Sequence, residues 1–373
     1  MQKKYTSLGL MSGTSGDGVD ASIITSDGTN QFEVIKDKYY EYDASIYKAI
    51  HSLKEKIFSI NDLKKHSIEL LELERKITLF HVKIIKDLKL SNNDILVGFH
   101  GQTIYHNSKE KISMQLGDGR LLNKLTKKKI IFDFRKNDIL NGGEGAPLAP
   151  IFHQLIATQN KISLPVCFLN IGGISNITVV NKKNGSLELF SKDIGPGNCL
   201  IDSWVRKNLN EKFDNEGRLA SSGKKNEIIF EQAQELYSNR IEKEKTSFDT
   251  NDFDISFVRG LSPEDGAATL TDFTACIIGE ELTSLLLDFY PKIKEILICG
   301  GGRKNKILLK KIKENISLNI NLRLIEDYKI NGDFVESQAF AFLAIRSILK
   351  LPISFPKTTG CLKPCSGGVL INN

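Results

Sequence analysis

Five glycine clusters punctuate the chain, at residues 13–18, 142–145, 172–173, 195–197 and 300–302, and this recurrence limits the folds open to it. Glycine supplies positive-φ backbone and lets the main chain approach a ligand closely, which phosphate-binding loops need and which any tight turn also needs. A single cluster would be read as a turn. Here all but the second directly follow a short apolar run with strand character, the runs being 5–11, 166–170, 187–193 and 295–299. Strands that repeatedly open onto glycine turns point to nucleotide binding on an α/β scaffold.

Context narrows the class of nucleotide fold. No G-x-x-x-x-G-K-[ST] is present, which excludes a P-loop. Gly16-Asp17-Gly18-Val19-Asp20-Ala21 matches the dinucleotide fingerprint in letters, but that motif must open a helix, and the β-branched Ile23, Ile24 and Thr25 read as a second strand. Protein-kinase signatures and G-x-S-x-G are absent. What remains is a hairpin tip, Gly13, Thr14, Ser15, Gly16, Asp17, Gly18, Val19 and Asp20, offering backbone N–H groups and hydroxyls to phosphate oxygens. Asp17 or Asp20 would suit a hydrated Mg2+. The same residues also suit an ordinary polar hairpin whose aspartate stabilises its own turn.

Asn61 or Asp62 is expected to cap a long amphipathic helix with Leu63, Leu70, Ile77, Phe80, Ile84 and Leu88 on one face. Strand 95–99 ends at His100-Gly101-Gln102-Thr103. A helix near 120–126, strand 130–134 and a helix from about Pro150 follow. The second half begins the pattern again. Strands 166–170 and 174–180 flank Gly172-Gly173. Strand 187–193 runs into Gly195-Pro196-Gly197-Asn198 and a helix through Trp204. Strand 295–299 opens onto Gly300-Gly301-Gly302 and a basic helix from about Lys304, and a helix spans 334–349. Two glycine-tipped hairpins, each followed by βα units, imply two mixed-sheet α/β lobes with a cleft between them.

Asp193 ends an apolar strand, where a general base is expected, although an Asx-turn or helix cap fits it equally. Arg135 suits two parallel hydrogen bonds to a substrate carboxylate, or a salt bridge to Asp133 or Asp138. His100, His106 and His153 lack metal-ligand spacing, and only His100 is kept as a substrate contact. Cys361 and Cys365 form a C-x3-C pair with no further ligands near in sequence, so the six cysteines read as reduced thiols.

With 373 residues, 40% hydrophobic and 26% charged, the chain can bury a large core and is neither disordered nor a disulfide miniature. The net charge of +6 comes from scattered lysines, which argues against nucleic acid as a partner. No apolar window is long enough to span a membrane and no secretory signal is evident, so a cytoplasmic location is expected.

Seven segments in order, GLMSGTSGDGVDAS (9–22), GFHGQTIYH (98–106), DFRKNDILNGGEGAPLAPIFH (133–153), FLNIGGISNIT (168–178), DIGPGNCLIDSW (193–204), ICGGGRKN (298–305) and ESQAFAFLAIR (336–346), resemble the anhydro-N-acetylmuramic acid kinases of the actin/hexokinase/heat-shock-chaperone ATPase superfamily. The resemblance implies a two-lobed, actin-like ATPase fold, a duplicated ribonuclease H-like core with an interdomain active-site cleft. It implies a first lobe of 1–135 plus about 355–373 and a second of 136–354. It makes the 13–20 hairpin the first phosphate loop and Gly172-Gly173 the second. Gly195, Gly197 and Asn198 join the nucleotide site, and Gly300, Gly301, Gly302 and Asn305 lie by the adenosine. Asp193 becomes the catalytic base, with His100, Gln102, Thr103, Arg135 and Glu336 lining the sugar site. ATP and Mg2+ are the implied cofactors, and a homodimer is compatible with this reading.

The implied chemistry opens the 1,6-anhydro bridge of anhydro-N-acetylmuramic acid with water and phosphorylates O6, giving N-acetylmuramate 6-phosphate for peptidoglycan recycling. The alternatives are a kinase for a different anhydrosugar, such as levoglucosan, and a non-catalytic nucleotide-binding module. The chain departs from the family pattern at Gly16, Glu144 and Ile194 and in the segment Lys245-Thr246-Ser247-Phe248-Asp249-Thr250.

Overall fold

The computed structural model describes residues 3–90, 94–209, 211–240 and 247–372. Its strands are β1 (Tyr5–Ser12), β2 (Gly18–Ser26), β3 (Phe32–Glu41), β4 (Leu96–Asn107), β5 (Ile112–Leu116), β6 (Lys129–Phe132), β7 (Val166–Ile171), β8 (Ile174–Lys183), β9 (Ser186–Pro196), β10 (Glu295–Cys299), β11 (Asn321–Leu324) and β12 (Val369–Ile371). The chain divides into two compact units, residues 1–162 with 333–373, and residues 163–332.

The two sheets share one topology. In the first unit the order is β12-β6-β4-β1-β2-β3, with β5 paired to β4, and in the second it is β11-β10-β7-β8-β9. Each begins as an antiparallel meander, β1-β2-β3 or β7-β8-β9. Each then adds two parallel strands beside the first, β4 and β6, or β10 and β11. This repeated order is the ribonuclease H-like topology, present once in each unit. It sends the carboxyl ends of β1 and β4, and of β7 and β10, to one edge of each sheet, where ligand-binding turns are placed in α/β folds.

The first sheet is covered on one face by the helices Ala44–Lys54 and Ser67–Asp87, whose Ile46, Ile50, Leu73, Ile77 and Ile84 join Leu8, Leu10, Val97 and Phe99 in the core. Its other face takes the helix Val335–Ile348, which lies so close that a Cβ on Gly9 would stand 1.9 Å from Ser337 O, and one on Gly98 2.3 Å from Phe340 O. Ser22 Oγ also bonds Ser337 Oγ at 2.7 Å and Asp37 at 2.6 Å, and Gln338 Nε2 donates to Asp37 at 3.0 Å. This contact places the helix with the first unit. The observed divisions therefore fall at 162/163 and 332/333, whereas the sequence reading put them at 135/136 and 354/355. In the second unit the helix Pro263–Asp288, started by a Ser262 cap, packs Ala275, Ile278, Leu282 and Leu286 against Ile177, Val179 and Ile296.

The long helix expected from Asn61 or Asp62 is two helices, Ile60–Lys65 and Ser67–Asp87. Ser59 is the cap, its hydroxyl accepting the Asp62 N–H, and the chain breaks at His66, with φ −99° and ψ 19°. Among the described residues no helix is long and apolar enough to cross a membrane.

Gly9→Ala should lower stability by about 1–3 kcal/mol, because an added methyl group has no space against helix backbone; a shifted urea midpoint at unchanged m-value is the expected result. Burial holds His81 down at about 4 and His153 at about 3, against an ordinary value of 6.5. As pH falls through 6.5 the unfolded chain takes up these protons before the folded one. Stability is therefore full above that pH and is lost on acidification, by about 2 kcal/mol per histidine between pH 7.5 and pH 5. Denaturation midpoints across that range check it, and His153→Gln should remove one share.

Candidate active site

In the second unit three glycine turns converge at the carboxyl ends of β7, β9 and β10. Gly197 N donates to Gly173 O at 2.9 Å, Asn198 N to Gly172 O at 2.8 Å and Cys199 N to Gly173 O at 3.2 Å. Ser175 Oγ adds a bond to Pro196 O at 3.1 Å. The third turn closes on the same group, since a Cβ on Gly300 would lie 2.4 Å from Asn170 Oδ1 and one on Gly302 3.0 Å from Asn198 Oδ1. Arg303 holds this turn from behind, with Nη1 on Gly300 O at 3.0 Å and its fork on Glu326 Oε1 at 2.7 and 2.6 Å.

Asp193 stands on β9 opposite Asn176, and its Oδ2 accepts the Phe248 N–H at 2.8 Å. It is 8% exposed, so a backbone donor fixes the orientation of a nearly buried carboxylate. The register shifts between Ser175 and Asn176, which pair with Gly195 and Asp193 and leave Ile194 as the extra residue of a bulge. Ile194 packs into the core with Ile177, Ile278 and Leu282, so this departure from the family pattern faces the core. The divergent 245–250 segment reaches Asp193 through Phe248, while Lys245 and Thr246 lie outside the described residues.

In the first unit the β1–β2 tip is a turn closed by Gly16 N on Gly13 O at 3.1 Å, with Gly16 at φ +68°. Buried Gln102 grips it from below, Nε2 on Gly13 O at 2.9 Å, and Lys54 Nζ donates to Thr14 O. Tyr42 fixes the far side, its N–H on Asp17 O at 2.9 Å and its hydroxyl 2.7 Å from Ser12 Oγ. Burial, with the nearby Asp17 and Asp20 carboxylates, pushes the Tyr39 hydroxyl up from its ordinary value. Asp17 Oδ1 is buried without a hydrogen-bond partner, the kind of atom a cation or its water shell would satisfy.

A third cluster lies beneath that tip. Against β1, Phe99 pairs with Leu10 and Gly101 with Met11, so His100 is the bulged residue, followed by Gly101 at φ +77°. His100 Nδ1 faces Gly101 O at 2.8 Å and must carry the proton, which leaves Nε2 to accept Arg135 Nη2 at 2.9 Å. Burial and the adjacent guanidinium hold His100 well below its ordinary value, so the ring is neutral. Arg135 Nη1 donates to Gly145 O at 2.8 Å. Phe340 packs against His100 at 4.5 Å between centroids with the rings tilted by 51°, and Glu336 sits one helical turn earlier on that face.

The structure thus gathers Gly172, Gly173, Gly195, Gly197, Asn198, Gly300, Gly301 and Gly302 in one unit, and the tip residues, His100, Arg135 and Glu336 in the other. Three expected contacts have other tasks. Val19 belongs to the core, Asn305 Oδ1 caps the helix Lys306–Asn315 by accepting Leu308 N–H at 3.0 Å, and Thr103 Oγ1 accepts Gln115 at 3.2 Å. Asp138, offered as a salt-bridge partner of Arg135, instead accepts Gly145 N–H at 2.7 Å and Thr359 O–H at 2.6 Å. Sequence reasoning missed Gln102 as the brace of the tip and Lys54 as its second donor; no spacing rule links residues so far apart in the chain.

The glycines themselves separate structural need from ligand need. Gly13 and Gly301 have no positive φ, and an added Cβ would meet nothing closer than 3.9 Å at the first and nothing within 4 Å at the second. The fold leaves room for a side chain at both, as a surface kept bare for an incoming group would.

The family model for anhydro-N-acetylmuramic acid kinase matches residues 5–373. The chain is 56% identical to the anhydro-N-acetylmuramic acid kinase of Pelagibacter ubique (strain HTCC1062), covering 100% of both chains. It is 37% identical to that of Zymomonas mobilis subsp. mobilis, over 97% of this chain and 98% of the relative, and 35% identical to that of Agrobacterium fabrum, over 100% of both. Matched from end to end, the chain belongs to the anhydro-N-acetylmuramic acid kinase family.

Proposed function

We propose that the protein is an ATP-dependent kinase that opens the 1,6-anhydro bridge of anhydro-N-acetylmuramic acid and delivers N-acetylmuramate 6-phosphate to peptidoglycan recycling in the cytoplasm. The observation that carries this reading is the full-length family match, with the nearly buried Asp193 set among three stitched glycine turns. The relatives' names favour this sugar over a different anhydrosugar, and an oriented carboxylate beside the turns favours an enzyme over a non-catalytic nucleotide-binding module.

Asp193 takes a proton from water as the water oxygen attacks C1. The C1–O6 bond breaks, O6 attacks the γ-phosphorus of ATP, and ADP leaves with the electrons of the bridging bond. Asp193 then returns its proton to solvent. No separate acid is required, because the charge developing on O6 passes to phosphorus. The Phe248 N–H keeps one carboxylate oxygen engaged and so sets the direction from which water is activated.

Arg135, oriented by neutral His100 and Gly145 O, is the cation of the sugar site and meets the substrate carboxylate, and Glu336 accepts from a sugar hydroxyl. Backbone N–H groups at Gly13, Thr14, Ser15 and Gly173 receive phosphate oxygens, while those of Gly16 and Gly172 close their own turns on Gly13 O and Ile174 O. Asp17 and Asp20 would hold Mg2+, which when bound neutralises phosphate charge. Buried, unpartnered Asp17 Oδ1 is the observation that fits this role.

Asp193→Asn should reduce turnover at least a thousandfold while sugar affinity stays within about threefold; residual activity within tenfold of wild type would remove Asp193 from the base role. In 18O-labelled water the wild-type product should carry the label on C1 and not on the phosphate. Gly301→Ala should leave the melting temperature unchanged within about 2 °C, because the fold has room for the methyl group, yet weaken ATP binding at least tenfold. Unchanged ATP affinity would take the nucleotide away from that turn.

A further inference from the structure

We propose that Asp138, Cys361 and Cys365 form a site for one thiophilic divalent cation of the zinc class. The C-x3-C pair has no further ligand near it in sequence, but folding brings in a carboxylate from 227 residues away. One donor atom from each of the three residues lies within 4.8 Å of the others, and the residues are 1%, 1% and 7% exposed. Tetrahedral Zn–S and Zn–O bonds put such donors roughly 3.6–3.8 Å apart, so movement of about an ångström closes the set.

Charge supplies the second argument. The partners of Asp138 among the described residues are the Gly145 N–H at 2.7 Å, the Thr359 O–H at 2.6 Å and the Cys365 S–H at 4.0 Å, all neutral. Buried carboxylates are ordinarily paired with a cation or bound to a metal. Here the nearest groups able to complete a coordination sphere are two thiols. Thr359 Oγ1, on Asp138 Oδ1, and Ser354 Oγ, 3.4 Å from Cys365 Sγ, line the remaining side.

The loops that carry the ligands are already fixed to each other. Leu362 N bonds Asn141 O at 3.0 Å, Glu144 N bonds Thr359 O at 2.8 Å, and Cys365 exchanges backbone bonds with Ser354. Ordering cost on binding is therefore small. A coordinating cation deprotonates a thiol outright. Binding releases both thiol protons, so affinity rises about a hundredfold per pH unit below the thiol range. A bound cation would also stiffen Asp138, whose other oxygen holds Gly145, the residue that carries Arg135.

The test uses the full chain and needs no activity assay. Protein loaded with Zn(II) and passed through gel filtration with a weak competing chelator should retain about one zinc per chain. Co(II) should give a near-ultraviolet thiolate-to-cobalt absorption. Cys361→Ser and Cys365→Ser should each lose that band and weaken zinc retention at least tenfold. X-ray absorption on the zinc-loaded wild type, which is independent of whether the variants fold, should show two sulfur neighbours at about 2.3 Å. Retention below a tenth of an equivalent, an all-nitrogen/oxygen shell, or recovery of the pair as a disulfide would each overturn the proposal.

Discussion

Two backbone hydrogen bonds, from Gly197 N to Gly173 O and from Asn198 N to Gly172 O, join the hairpin turn after β7 to the turn after β9. A bond of this kind requires main chain to approach main chain, and a Cβ on Gly197 would stand 2.2 Å from Gly172 O. Everything chemical in the second unit hangs on that approach. It brings the Asn198 side chain to the Gly300–Gly302 turn and joins three separate loops into one backbone-lined surface. Such a surface can stabilise charge without reorganising, because its dipoles were oriented during folding.

In the first unit the organising element is a charge arrangement. Arg135 next to His100 is compatible only with a neutral ring, and the Gly101 carbonyl on Nδ1 selects the tautomer whose Nε2 accepts. Those two bonds engage both terminal nitrogens of Arg135 and fix the plane of its guanidinium. A guanidinium with a fixed plane has lost much of its rotamer entropy before any ligand arrives.

Much of this was legible in the sequence, for identifiable reasons. Residues 295–299 read as a strand to both ends because an apolar run is bounded by Lys294 and by three glycines. Asp193 reads as the last residue of its strand, whereas β9 continues three residues beyond it to Pro196. β3 was not, because Lys36, Asp37 and Lys38 on an exposed edge strand hide the alternation. The helix Pro263–Asp288 escaped because its alanines, threonines and glycines give little periodic contrast, although its Ser262-Pro263 start is a recognisable cap. Gly195-Pro196 looked like a turn and ends a strand instead, since its partners Ser175 and Ile174 continue the ladder. The His100–Arg135 contact and the Cys361–Cys365–Asp138 grouping join distant parts of the chain, and local pattern cannot show such pairs.

The division of the chain has a consequence for its biosynthesis. Residues 163–332 interrupt the first unit, whose sheet needs the Val335–Ile348 helix over Gly9 and Gly98. On the ribosome the interrupting unit is therefore complete while the earlier one still shows water a bare, glycine-lined sheet face. That face stays uncovered on the nascent chain until residues 333–373 emerge.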